Sequence, residues 1–161
     1  MSVRAVAFAA LSLLLSAPCA ALDLVSCGAS AVGPAFGVYA QLSSVPLNSN
    51  GSVTVTCNLI SGNPPWVTAE VKLSAGSSGS YATRTMQSGA QQLSYNIFLD
   101  AAYSLVWGDA TAGSSDWTAT IKVNPGHVTD QATGVIYGQI PAGQDPGFGV
   151  YADTIVVTVN Y

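Results

Sequence analysis

The sequence predicts an all-β protein, an antiparallel, immunoglobulin-like sandwich with Greek-key connections. Short stretches of alternating apolar and polar residues recur along the chain, and clusters of Gly, Ser, Asn and Pro separate them. Almost no segment shows the helical period of 3.6 residues. Seven or eight strands spaced roughly 10–20 residues apart, with no helices between them, are typical of such a sandwich.

The predicted strands follow one another in eight short segments. In chain order they are Phe36–Tyr39, Ser52–Cys57, Val67–Leu73, Leu93–Leu99, Leu105–Trp107, Trp117–Val123, Gly134–Ile140 and Thr154–Tyr161. Turn-forming sequences lie between them: S-N-G-S before the second, N-P-P-W before the third and N-P-G after the sixth. No internal repeat and no second domain is visible.

The last of these strands alternates most regularly. One face carries Ile155, Val157, Val159 and Tyr161, and the other carries Thr154, Val156, Thr158 and Asn160. No Lys, Pro or Gly interrupts the segment after Gly149. Because a long apolar strand on a sheet edge promotes aggregation, we expect an earlier strand or another chain to pair with it.

The first 20 residues predict a secretory signal peptide. One early charge, Arg4, precedes an uncharged run and the small residues S-A-P-C-A-A. The apolar run is too short for a permanent bilayer span, and no later stretch reaches that length. Lipid attachment at Cys19 is disfavoured by the adjacent Pro18. We therefore expect an exported domain over residues 21–161 without stable membrane insertion.

The charge balance disfavours two classes of partner. Four basic residues face eight acidic ones, and only 7% of residues are charged. A net negative charge argues against binding nucleic acid or anionic lipid by electrostatic attraction. The low charge density suits a chain that packs against other copies, and it also agrees with an ordinary extracellular composition.

Two cysteines remain after the predicted cleavage, Cys27 and Cys57. In an oxidising compartment we expect them to form a disulfide. Closing a loop of this length stabilises a domain by roughly 3–4 kcal/mol. One histidine and two distant thiols predict no zinc site.

No arrangement of residues predicts catalysis or a cofactor. His127 lies in an N-P-G-H-V turn and is interpreted as an exposed loop residue. Asp100 and Asp109 are interpreted as turn caps rather than as paired catalytic carboxylates. Asn50 heads an N-G-S sequence, which matches a glycosylation acceptor and equally an Asn-Gly turn between strands.

Five large aromatic residues are candidates for a sugar-binding platform or for packing within the sandwich. They are Trp66, Trp107, Trp117, Tyr81 and Tyr103. Packing is the favoured interpretation because aromatic side chains contribute large buried areas to β-sandwich interiors.

Several local strings resemble the spore coat protein U-like subunits of archaic, Csu-type chaperone–usher pili. They are F-G-V-Y at 36–39, V-T-V-T-C at 53–57, R-T-M at 84–86, L-S-Y-N-I-F-L-D at 93–100, V-W-G-D at 106–109, Y-G-Q-I-P-A-G-Q at 137–144 and G-V-Y-A-D-T-I-V-V-T-V-N-Y at 149–161. The specificity of the resemblance lies in their joint order and spacing.

The resemblance implies an incomplete immunoglobulin-like sandwich that lacks its last strand. An apolar groove would then accept a strand, first from a periplasmic chaperone and afterwards from a neighbouring pilin at an outer-membrane usher. The final strand would be one wall of this groove and an early strand beginning near Cys27 the other. The groove candidates are Ile155, Val157, Val159 and Tyr161.

The implied function is that of a structural subunit of a secreted fimbria or cell surface, supporting adhesion and biofilm formation. The segment before Cys27 departs from the family pattern, because only about six residues, A-L-D-L-V-S, precede it after cleavage. The departure would fit an end position in the fibre, a single secreted coat protein or a wrongly assigned start. The alternative function is a stand-alone coat protein or carbohydrate- or surface-binding module.

Overall fold

The structure, a computed structural model, describes residues 22–64 and 66–161. The predicted signal peptide over residues 1–20, with Cys19, lies outside the described residues. The described chain forms eight strands: β1 (Leu24–Val32), β2 (Leu47–Ser61), β3 (Val67–Leu73), β4 (Arg84–Ser88), β5 (Gln91–Phe98), β6 (Trp117–Ile121), β7 (Thr129–Ile140) and β8 (Val157–Asn160). A single 3-10 turn spans Gly76–Ser78.

These strands form two antiparallel sheets that enclose one apolar core. The larger sheet has the order β1-β2-β7-β5-β4 and the smaller one the order β6-β3-β8. Alternation decides which side chains face inward: Val53 and Val55 of β2 and Val71 and Leu73 of β3 are fully buried, while their neighbours are not. The prediction of an all-β antiparallel sandwich is confirmed.

The strand predictions are confirmed where alternation is regular. β3 has the predicted bounds, and the other regular segments lie within or overlap strands. Two segments were wrongly predicted as strands: Phe36–Tyr39 is irregular, and Leu105–Trp107 makes only isolated bridges. β4 was not among the eight segments, and β1 was expected only from the family resemblance.

The predicted Asn50–Gly51 turn is wrong. Both residues lie inside β2, where Asn50 pairs with Tyr137 and Gly51 with Ile136. A Cβ on Gly51 would lie 2.3 Å from the carbonyl oxygen of Val32. The glycine therefore permits close approach of another backbone segment, which is a common reason for a glycine inside a strand. The glycosylation interpretation of Asn50 stays a prediction.

The predicted disulfide between Cys27 and Cys57 is confirmed. The two residues face each other in the β1–β2 ladder, with their Cα atoms 4.1 Å apart. The bond therefore joins an edge strand to its only ladder partner among the described strands.

Within the described residues, four strands have a ladder partner on one side only: β1, β4, β6 and β8. β1 pairs only with β2, and β8 pairs only with β3. An unpaired edge presents a row of backbone N–H and C=O groups that can bind a further strand. Separately, none of the helical structure in residues 22–64 and 66–161 has the length and apolarity of a membrane span.

Candidate functional site

A cleft opens between the end of β1 and the segment that leads into β8. It consists of two neighbouring cavities of about 560 and 430 Å³, whose linings share Pro34, Phe36, Met86 and Tyr151. We call residues 31–41 the first wall and residues 146–157 the second wall, since both segments line the cleft.

The first wall crosses the inner face of the larger sheet. A Cβ on Gly138 of β7 would lie 2.8 Å from Phe36 and from Pro34. Because Gly51 and Gly138 carry no side chain, the chain after β1 can lie directly on the sheet. Phe36 then meets the ring of Tyr95 edge-on, with 6.2 Å between centroids.

The second wall is held by both sheets. Ala152 exchanges two backbone hydrogen bonds with Gln87 of β4, at 2.8 and 3.1 Å. The carbonyl of Val156 accepts from the amide of Ser74, just after β3, at 3.0 Å. Since backbone groups alternate in direction along an extended strand, the N–H and C=O groups of Ile155 and Val157 point to the opposite, unpaired edge.

The floor of the cleft is apolar. It is formed by inward-facing side chains of the larger sheet and of β3: Leu73, Met86, Tyr95, Ile97 and Ile136. An extended segment laid along the unpaired edge of β8 would place alternate side chains against this floor. The cleft thus combines apolar surface with free backbone hydrogen-bonding groups, the two features that strand addition uses.

The four predicted groove residues occupy two different environments. Ile155 and Val157 line the smaller cavity. Val159 is half-buried opposite Val71, and Tyr161 lies beyond β8 with 58% of its surface exposed. Neither of these two lines the cleft, and the role of all four residues stays a prediction.

Sequence reasoning missed most of the first wall and the floor. The early strand expected near Cys27 is β1, which begins at Leu24 and supplies Ala31 to the lining, and the first wall continues beyond its end to Gln41. Phe36, Met86 and Tyr151 line both cavities, and each lies in a string that carried the family resemblance. Those strings were the one available indication of their importance.

Asp153 fixes the second wall to the floor. Its carboxylate accepts hydrogen bonds from the Tyr95 hydroxyl at 2.7 Å, the Ser77 amide at 2.9 Å and the Thr154 amide at 2.8 Å. Burial alone would raise the pKa of Asp153, but the hydrogen bonds outweigh it and hold the pKa below the ordinary value of 3.8. Burial, and then the bond to Asp153, raises the pKa of Tyr95 far above its ordinary value.

We expect Tyr95→Phe to reduce the free energy of unfolding at pH 7 by about 1.5–3 kcal/mol, the usual contribution of a hydrogen bond to a charged group. Because folding lowers the pKa of Asp153, the carboxylate stabilises the folded state above pH 3.8, and this contribution disappears as pH falls through the lowered value. Urea unfolding measured from neutral pH down to about pH 2 should show a shallower acid-side loss in the variant.

Tyr137→Phe is the matched control for Tyr95→Phe, since Tyr137 packs edge-on against Tyr103. The control should retain the acid-side slope of the unmodified chain. Equal slopes for all three proteins would contradict the assigned role of the Tyr95–Asp153 bond.

Arg84 lies completely buried beside the cleft floor. Its guanidinium donates to Asn96 Oδ1 at 2.7 Å, to the Trp107 carbonyl at 2.7 Å and to the Ser74 carbonyl at 2.9 and 3.2 Å. It also lies 5.2 Å from the Tyr81 ring centroid. Burial lowers the pKa of Arg84 below its ordinary value, although nearby Tyr95 and Tyr81 partly offset this effect.

The residues considered for catalysis lie apart from the cleft lining. His127 is exposed, as predicted, and its Nε2 lies 3.7 Å from Oδ1 of Asp130. Asp100 and Asp109 cap turns: the Leu105 amide and Ser104 hydroxyl lower the pKa of Asp100, and Thr111 lowers that of Asp109. The described residues contain no group of three or more His, Cys, Asp or Glu placed to hold a metal ion.

The aromatic residues do not assemble a common platform. Trp107 is fully buried and packs edge-on against the half-buried Trp117, with 5.9 Å between centroids. The ring of Tyr81 instead packs against the guanidinium of Arg84. Trp66 alone among the three tryptophans is largely exposed, at 57%, beside Lys122. For Trp107 the packing interpretation is therefore confirmed.

Comparisons with known proteins agree with the resemblance. The family model of the Spore Coat Protein U domain matches residues 13–158. Protein U of Myxococcus xanthus is 28% identical over 119 residues, which are 73% of this chain and 62% of Protein U. The chain thus spans under two thirds of that relative's length.

A solved structure is also similar. It is the crystal structure of the CsuC–CsuE chaperone–tip adhesion subunit pre-assembly complex from archaic chaperone–usher Csu pili of Acinetobacter baumannii. The match has a TM-score of 0.56 and 30% sequence identity, and it covers 86% of this chain but 40% of the matched one. The likeness therefore extends over nearly the whole chain and over less than half of the matched protein.

Proposed function

Because the chain belongs to the Spore Coat Protein U domain family, we propose that it is a structural subunit of an archaic chaperone–usher fibre. Its cleft accepts a β-segment from another protein molecule by strand addition. The proposal involves neither turnover nor a cofactor, since backbone hydrogen bonds supply affinity and alternate apolar side chains supply fit.

One observation carries the proposal: an edge of β8 that has no ladder partner among residues 22–64 and 66–161 lies beside an apolar cleft. Nearby side chains agree with it, because Val38 on the first wall is 92% exposed and Phe148 on the second is 105% exposed. Large exposed apolar groups on both rims of a cleft indicate a surface that another protein covers.

The proposed partners follow from this mechanism and from the chaperone–subunit complex to which the chain is similar. They are a periplasmic chaperone, an outer-membrane usher and neighbouring subunits. The location is then the periplasm first and an extracellular fimbria or the cell surface afterwards. We further propose that the assembled fibre supports adhesion and biofilm formation.

A pair of neighbouring substitutions tests the cleft directly. Ile155 lines the cleft, while the side chain of Val156 is 59% exposed on the other face. The chain is co-expressed in the periplasm with the chaperone from its own gene cluster, and the complex is isolated through a tag on the chaperone. We expect a one-to-one complex for the unmodified chain and for Val156→Asp, and at least a tenfold loss for Ile155→Asp, since a carboxylate in the cleft has no partner.

Ile155→Ala keeps the test informative if Ile155→Asp does not accumulate. It should weaken complex formation relative to the unmodified chain and to Val156→Asp, without introducing a buried charge. A protease-resistant, soluble chain that accumulates equally well without the chaperone would contradict the proposed function.

A further inference from the structure

Hydrogen bonds between described residues tie the two walls of the cleft together at one end. Gln41 Nε2 of the first wall donates to the carbonyl of Pro146 on the second. Tyr39 Oη donates to the Pro141 carbonyl and accepts from the Gln144 amide, both at 2.9 Å. We call Tyr39, Gln41 and Gln144 the clasp.

The clasp is anchored to the larger sheet. Gln144 binds both backbone groups of Ser94 on β5: its Oε1 accepts from the amide at 2.7 Å, and its Nε2 donates to the carbonyl at 2.9 Å. Nε2 also donates to Pro141 at 3.1 Å. This side chain completes a strand-like pair with β5 and holds the 141–146 segment against the first wall.

The order of the lining residues places the clasp at an end of the cleft. Ala31 and Val157 line the smaller cavity, whereas Tyr39, Gln41 and Pro146 line the larger one. The walls therefore run antiparallel from an end near Ala31 and Val157 to the end at the clasp. Among the described residues, no hydrogen bond joins the walls at the Ala31 end.

We propose that the clasp is an end stop that sets the register of the segment bound in the cleft. This inference rests on the proposed function. A bound segment must end, or turn outward, where Gln41 meets Pro146, so a bulky group at that end of the segment prevents full insertion. Because side chains alternate, a register shifted by one residue would turn the apolar face of the segment away from the floor.

Terminally blocked peptides test the stop. The probe is an alternating Val/Thr peptide of about ten residues, the length that strand addition typically requires. It is used free, with biotin–streptavidin at its amino end, or with the same group at its carboxyl end. The full oxidised chain is refolded with each peptide, and the dissociation constant is measured by native mass spectrometry.

We expect one blocked peptide to bind about tenfold more weakly than the free peptide and the other to bind equally well. Opening the clasp with Tyr39→Phe and Gln41→Ala should remove this difference, so that the two blocked peptides bind this variant with equal dissociation constants. Ser43→Ala is the matched control, because the Ser43 hydroxyl bonds only within its own loop, to Val45, and should preserve the asymmetry.

Three results overturn the inference, and they are distinguishable. If the free peptide binds and both blocked peptides bind equally to the unmodified chain, the clasp is not a stop, although strand addition stands. If no peptide binds and no chaperone complex forms either, the proposed function fails together with the inference. An asymmetry that persists after the clasp is opened also rejects the assigned residues.

Discussion

Replacing Arg84 with methionine is expected to lower the free energy of unfolding by about 2–6 kcal/mol, since two carbonyls lose their hydrogen-bond donor. Arg84 is completely buried, and its donors satisfy the carbonyls of Ser74 and Trp107 together with Asn96 Oδ1. Methionine fills much of the volume but donates no hydrogen bond. The two carbonyls would then stay buried without these donors, which costs about 1–3 kcal/mol for each group.

The effect should extend to the cleft. Ser74, which accepts from Arg84, also donates its amide to Val156 and accepts the Val156 amide on its hydroxyl. Loss of Arg84 therefore loosens the anchor of the second wall. We expect chaperone complex formation by Arg84→Met to fall along with stability.

Lys122→Met is the control for Arg84→Met, since Lys122 is exposed beside Trp66. It should change the free energy of unfolding by less than about 0.5 kcal/mol. Urea denaturation provides the comparison, with every chain oxidised and with the chaperone either bound to all of them or absent from all of them. Equal stability of Arg84→Met and the unmodified chain would show that the guanidinium is not required to satisfy these groups.

Local alternation was sufficient to predict the strands whose two faces differ. Val67–Leu73 was predicted with the observed bounds because its apolar residues face the core and its polar residues face outward. β1 carries S-C-G-A-S-A, whose small residues give no clear period, and it is defined by pairing with β2 instead. The register of the sheets could not be read from such short segments.

Residues whose roles are tertiary were beyond sequence reasoning. Gly51 was interpreted as a turn residue, but it accommodates the backbone at Val32, which is 19 positions away in the chain (51 − 32 = 19). Arg84 attracted no interpretation of its own, because its acceptors come from three separate segments. Ile155 and Val157 were candidates for the groove because they lie on one face of the alternating segment that leads into and includes β8. The facing wall at Pro34 and Phe36 depends instead on where the chain crosses the larger sheet, which no local pattern indicates.

Replacing Trp107 with alanine is expected to lower the free energy of unfolding by about 3–5 kcal/mol, as for other large aromatic residues removed from a core. Trp107 is fully buried, its Nε1 donates to the Val71 carbonyl at 2.9 Å, and its ring packs against Trp117. Trp107→Phe keeps most of the ring and should cost less, about 1–3 kcal/mol for the lost hydrogen bond and the smaller volume.

Trp66→Ala is the control for Trp107→Ala and separates packing from glycan recognition. Trp66 is 57% exposed, so its removal should change stability by less than about 0.5 kcal/mol. Loss of glycan binding in Trp107→Ala would report unfolding, because a ring with no exposed surface cannot stack on a sugar. A glycan that binds the unmodified chain and is lost in the stable Trp66→Ala would favour the binding-module function. A Trp107→Ala chain within about 1 kcal/mol of the unmodified protein would contradict its place in the core.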